Sequence, residues 1–95
     1  MSQITFLETL EQIIAMRARA ADESSYTHRL LQAGLSAIAQ KVGEEGVEIA
    51  LAASAGDKEE VLNESADLLY HLLVLLRSSN ATLAEVMSTL KSRHA

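Results

Sequence analysis

Lys41-Val-Gly-Glu-Glu-Gly-Val-Glu48 and Glu64-Ser-Ala-Asp-Leu-Leu-Tyr-His71 are the two segments on which the reading of this chain turns. Glu45 and Glu48 are three residues apart, so on a helix they project from one face. Glu64 and Asp67 repeat that spacing. About fifteen residues lie between Glu48 and Glu64, and Gly56-Asp57 interrupts them. That length lets two helices fold back as an antiparallel pair, with Glu48 facing Glu64 about two turns from the loop. The carboxylates would then gather at one level of a helical bundle.

The rest of the chain is equally helical. Proline is absent, glycine is rare, and the β-branched residues form no alternating runs. Ile4, Leu7, Leu10 and Ile14 follow three-to-four spacing and predict a first helix over residues 4–20. Asp22-Glu-Ser-Ser-Tyr-Thr-His28 breaks that pattern and is rich in capping residues. A short helix is expected over 27–32, closed by Gly34. A longer one over 35–54 ends at Gly56, and Asp57 with Glu60 opens the next, over 58–79. Thr82 with Glu85 repeats the capping pattern before a last helix over 83–93. The chain therefore reads as all-α, an antiparallel bundle of four to five helices forming one domain over residues 1–95. Leu68, Leu69, Leu72, Leu73, Val74, Leu75 and Leu76 cover nearly every direction around their helix. A chain this short offers few internal partners for such a surface. Homo-oligomerisation, as a dimer, is expected to complete the bundle.

Charge narrows the function. The net charge is −5, against general affinity for a nucleic acid backbone. Glu44, Glu45, Glu48, Glu64 and Asp67 are five of the 13 acidic residues, and the remaining eight balance the eight lysines and arginines. There is no cysteine, so a metal here takes oxygen or imidazole ligands. Neighbouring carboxylates repel by roughly a few tenths of a kcal/mol per pair in a free helix. A cation between them reverses that cost, and hard oxygen ligands suit Mg²⁺ or Mn²⁺. Gly43 and Gly46 bracket the glutamate pair, leaving room for a ligand or a partner helix to approach, or for tight packing within the bundle. The apolar run 68–76 is too short to cross a membrane. No basic leader precedes the N-terminal Glu8 and Glu11, so a soluble cytoplasmic protein is expected.

The pattern EExxE followed by ExxD on consecutive helices resembles the all-α nucleoside triphosphate pyrophosphohydrolases of the MazG-like group. Within that group, Ser24-Ser-Tyr-Thr27, Ile38-Ala-Gln-Lys-Val-Gly-Glu-Glu45 and Glu64-Ser-Ala-Asp-Leu-Leu-Tyr-His-Leu-Leu-Val-Leu75 are similar to the phosphoribosyl-ATP pyrophosphatases. The likeness runs from about Leu7 to Arg93. Gly46 and Ser65 stand where many family members have alanine, and neither departure removes a ligand. The resemblance implies Mg²⁺-dependent hydrolysis of phosphoribosyl-ATP to phosphoribosyl-AMP and pyrophosphate, the second step toward histidine. It also implies association at least as dimers. In some organisms this domain is fused to the cyclohydrolase that acts next; here that step is expected of another protein.

Under this resemblance Glu45, Glu48, Glu64 and Asp67 are the expected Mg²⁺ ligands. Glu44 is expected to orient or deprotonate the attacking water, with a plain surface carboxylate as the alternative. Lys41, one turn earlier, is placed to reach a phosphate or to pair with Glu45. His71 follows Asp67 by four residues and shares its face, either to contact phosphate or ribose or to serve as a core histidine. Arg17 and Arg29 flank the Ser24, Ser25, Tyr26 and Thr27 segment, and arginine forks suit phosphate. The hydroxyls of Ser24, Ser25 and Thr27 read as substrate contacts or as a helix cap, and Tyr26 as a base-stacking or a core ring. Two rivals remain: a house-cleaning nucleoside triphosphate pyrophosphohydrolase of the same fold, and a non-catalytic helical dimerisation module.

Overall fold

The computed structural model describes residues 6–95, and α-helices make up all of their regular structure. α1 runs Phe6–Arg19, α2 Tyr26–Ala33, α3 Leu35–Ser54, α4 Lys58–Ser78 and α5 Leu83–His94. The all-α expectation holds, with boundaries within a residue or so of those predicted. The predicted start of the first helix at Ile4 lies outside the described residues. α2 begins at Tyr26 rather than Thr27 because Ser25 is its N-cap, its hydroxyl accepting from the His28 N–H at 3.3 Å.

α3 and α4 form the central hairpin, and one short turn sets its register. Gly56 adopts φ +72°, a left-handed conformation that glycine enters without steric cost. The Gly56 N–H then reaches the Ala53 carbonyl at 3.1 Å and the Asp57 N–H the Ala52 carbonyl at 3.0 Å, which closes α3. Asp57 opens α4 as well, its Oδ1 accepting from the Glu60 N–H at 3.1 Å. The far end of α4 closes in the same way around Asn80, at φ +57°, with the Ala81 N–H on the Leu76 carbonyl at 2.8 Å. Thr82 and Glu85 complete the expected capping box of α5. Glu11 of α1 fastens that helix start, its Oε2 accepting from the Leu83 N–H at 2.8 Å.

The core is small: Ile14 from α1, Leu30 from α2, Ile38 from α3, and Leu73 and Val74 from α4. The apolar second half of α4 is not buried all round. His71, Leu73 and Val74 face the core, whereas Leu69 remains 43% exposed. Val47 and Leu51 on α3 and Leu62 on α4 are also open to solvent, and no residue of α5 is buried. At Gly43 and Gly46 an added Cβ would meet nothing within 4 Å, so packing among the described residues does not demand glycine at either position.

Ile38 is fully buried at the centre of this core. Its replacement by alanine is expected to destabilise the fold by ~2–5 kcal/mol. Asp57→Ala, which removes only a helix cap, should cost about 1 kcal/mol. Urea unfolding followed by far-ultraviolet circular dichroism measures both, and a larger loss for Asp57→Ala would contradict this placement of the core.

Candidate active site

Tyr26, Thr27, Glu45 and His71 meet where the start of α2 lies against the α3–α4 hairpin. Glu45 is buried, and its carboxylate turns inward onto His71, with Oε1 2.8 Å from Nδ1. The same ring nitrogen lies 3.0 Å from the Asp67 carbonyl. The other ring nitrogen, Nε2, is 2.8 Å from the Tyr26 hydroxyl. Alongside, the Thr27 hydroxyl hydrogen-bonds the Tyr70 hydroxyl. The rings of Tyr26 and Tyr70 stack with centroids 6.1 Å apart, and each meets His71 edge-on. No buried side-chain nitrogen or oxygen among the described residues lacks a hydrogen-bond partner.

Glu48 and Glu64 face each other across the hairpin, as their spacing from the turn predicts. Partial desolvation, the proton shared with Glu48, and the negative charges of Glu48, Asp67 and Glu60 push the Glu64 carboxyl up to about 7. Glu48 and Asp67 are exposed. Among the described residues no three carboxylate or imidazole side chains converge on one point as they stand. Glu44 and Lys41 are exposed on α3. Burial raises the pKa of the Tyr26 hydroxyl; Lys41 works in the opposite direction, while Tyr70, Glu45 and Asp67 add to the rise. Residues from α3 and α4 thus act on one hydroxyl of α2.

The segment before α2 is held by its own polar groups. Ser24 donates to Asp22 Oδ1 through its hydroxyl at 2.6 Å and its N–H at 3.0 Å, which holds the Asp22 carboxyl below its usual range. Arg29 donates to the Glu23 and Ser24 carbonyls, each at 3.2 Å. Ser24, Ser25 and Arg29 therefore shape the loop, and Thr27 lies buried beneath it. Arg17 is exposed near the end of α1. Both ring nitrogens of His71 are engaged inside the protein, and a phosphate or ribose contact would require it to give one up.

Two contributors were not picked out as site residues from sequence. Asp22 organises the loop, and Tyr70 anchors Thr27; Tyr70 precedes His71 and lies three residues after Asp67, which could have marked it as a neighbour of both. A cleft of about 510 Å³ between α1 and the α4–α5 turn, lined in part by Glu11, Leu73 and Arg77, contains none of the candidate residues.

Comparison with known proteins bears on this arrangement. Residues 7–94 match the phosphoribosyl-ATP pyrophosphohydrolase family. The histidine biosynthesis bifunctional protein HisIE of Vibrio cholerae is 57% identical over 93 residues, covering 98% of this chain and 44% of that protein. The proteins of the same name from Vibrio vulnificus and Campylobacter jejuni are 54% and 52% identical, again over 98% of this chain and 44% and 45% of their own lengths. The chain thus spans less than half the length of these relatives. With a family match from residue 7 to residue 94 and relatives above half identity, the chain belongs to the phosphoribosyl-ATP pyrophosphohydrolase family.

Proposed function

We propose that this chain hydrolyses phosphoribosyl-ATP to phosphoribosyl-AMP and pyrophosphate in histidine biosynthesis, using Mg²⁺ or, in its place, Mn²⁺. Membership of the family supports the substrate. The observation that carries the chemistry is the approach of Glu48 to Glu64 across the hairpin, with Asp67 one turn along α4. Carboxylates brought so close hold a proton near neutrality, and a divalent cation would relieve their repulsion better than a proton does. The donor set is all oxygen, which fits a hard cation.

Glu48, Glu64 and Asp67 would hold the ion, with Glu45 as the fourth carboxylate. Bound there, Mg²⁺ would supply charge to the phosphate oxygens and make a water more acidic. Glu44, exposed beside the ligands, would orient that water or accept its proton. Lys41 would meet a phosphate from α3, and Arg17 would add positive charge from α1. Arg29, Ser24 and Ser25 would act on the substrate by holding the loop that carries Tyr26. Hydrolysis adds water across a phosphoric anhydride, the phosphorus–oxygen bond to pyrophosphate breaking as the new one forms.

The exposed Val47, Leu51, Leu62 and Leu69, together with an α5 that contributes nothing buried, support a homo-oligomer, most simply a dimer. Among the described residues no helix is long and apolar enough to cross a membrane.

Three outcomes are expected. Pyrophosphate release should be far faster from phosphoribosyl-ATP than from ATP or dCTP, and Glu48→Gln or Glu64→Gln should lower it at least ~100-fold. Equal turnover of all three nucleotides would instead favour a house-cleaning enzyme, and full activity in Glu48→Gln would remove it from the ligands.

The second outcome concerns pH. In the folded, metal-free protein Glu64 titrates at about 7 rather than 4.5, so the folded state holds its proton more tightly than the unfolded chain does. That contribution is complete below about pH 4.5 and is lost as pH rises through about 7. The melting temperature in EDTA should therefore fall over that window in wild type, and less so in Glu64→Gln. Mg²⁺ affinity should rise over the same window as the competing proton leaves.

The third is assembly. Sedimentation at micromolar concentration should give an oligomer, and Leu51→Glu should dissociate it; a folded wild-type monomer would refute this reading.

A further inference from the structure

The Tyr26–His71–Glu45 contacts have a definite direction. His71 Nδ1 faces two acceptors, Glu45 Oε1 at 2.8 Å and the Asp67 carbonyl at 3.0 Å, so it must carry the hydrogen. In the neutral ring Nε2 is then the acceptor, and it takes the hydrogen of the Tyr26 hydroxyl at 2.8 Å. With the ring neutral, donation runs from Tyr26 to His71 to Glu45, through α2, α4 and α3 in turn. His71 and Glu45 are both buried, where such bonds are least diluted by water. Tyr26 differs: the residue is 44% exposed while its hydroxyl is committed inward.

We propose that His71 and Tyr26 are positioning residues that act through Glu45. By engaging Oε1 they hold the carboxylate in one orientation, so that Oε2 is the oxygen offered to the divalent cation. Among the described residues no hydrogen bond is made to that second oxygen. The proposal rests on the reading of Glu45 as a cation ligand. It differs from substrate contact by His71, because both ring nitrogens are already engaged. It also gives the loop before α2 a purpose. Asp22, Ser24 and Arg29 fix the start of α2, and the first residue of that helix, Tyr26, is the outer end of the relay.

Physically, a buried carboxylate with one oxygen fixed loses little further freedom when a cation arrives. Without the imidazole it would either rotate or stay buried without its donor, and both weaken binding. Partners that orient a metal ligand from behind typically contribute 10–100-fold in affinity.

The test uses Mn²⁺ as probe on the whole 95-residue chain, with binding read by electron paramagnetic resonance and melting temperature measured in EDTA. His71→Leu should weaken Mn²⁺ binding ~10–100-fold. His71→Asn places an amide N–H near the former Nδ1 and should bring binding back to within roughly threefold of wild type. Tyr26→Phe, which keeps the ring and is the variant best able to fold, should weaken binding roughly threefold with little change in melting temperature. Nitrogen-15 shifts of His71 in the metal-free wild type should show the hydrogen on Nδ1. Wild-type affinity in both His71→Leu and Tyr26→Phe, an Asn variant as weak as the Leu variant, or a hydrogen on Nε2 alone would each overturn the relay. Wild type that binds no Mn²⁺ would overturn the cation reading and this proposal with it. Normal wild-type binding unaffected by the variants would overturn this proposal only.

Discussion

The register of the α3–α4 hairpin is the constraint from which the site follows, and it is set at Gly56-Asp57. Gly56 occupies a left-handed conformation that lets α3 end in a tight, fully hydrogen-bonded turn. Asp57 gives its N–H to α3 and its carboxylate to α4. With no slack in the connection, Glu48 meets Glu64 and, farther from the turn, Glu45 meets His71. Each residue turns a helix by about 100°. Inserting or deleting one would carry either Glu48 and Glu64 or Glu45 and His71 out of reach of each other.

The hairpin divides its charges between two environments. Glu45 is drawn inside and satisfied by His71, so its charge does not stand alone in the core. Glu48 and Asp67 are exposed and Glu64 is half-buried, so water screens much of their repulsion. The helix tolerates two glycines here at ~1 kcal/mol each relative to alanine. Packing among the described residues does not ask for them, since an added Cβ at either would meet nothing within 4 Å.

A core of five buried apolar side chains is small for a hairpin with two further helices laid across it. Polar contacts supply part of what burial does not. Thr27 is tied to Tyr70, Tyr26 to His71, and Glu11 to the first turn of α5. Each joins separate elements, and two of the three end at the candidate site. Stability and site geometry are therefore coupled through the same side chains.

Much of this architecture is local in origin and so was legible in the sequence. Helical spacing, Gly56, and the Asp57 and Thr82 caps act within a few residues, and they determined the helices and the hairpin. The hairpin in turn determined that Glu48 lies opposite Glu64. The motifs also carried the family. Tertiary structure decided what local spacing cannot: Glu45 and Glu48 share a helix face, yet one faces a histidine and the other solvent. That division depends on where α2 lies across the hairpin. Ser24, Ser25, Tyr26 and Thr27 looked like one hydroxyl cluster. Packing separates them into a turn, a cap, the outer end of a relay and a buried tie, because burial depends on contacts between residues distant in sequence.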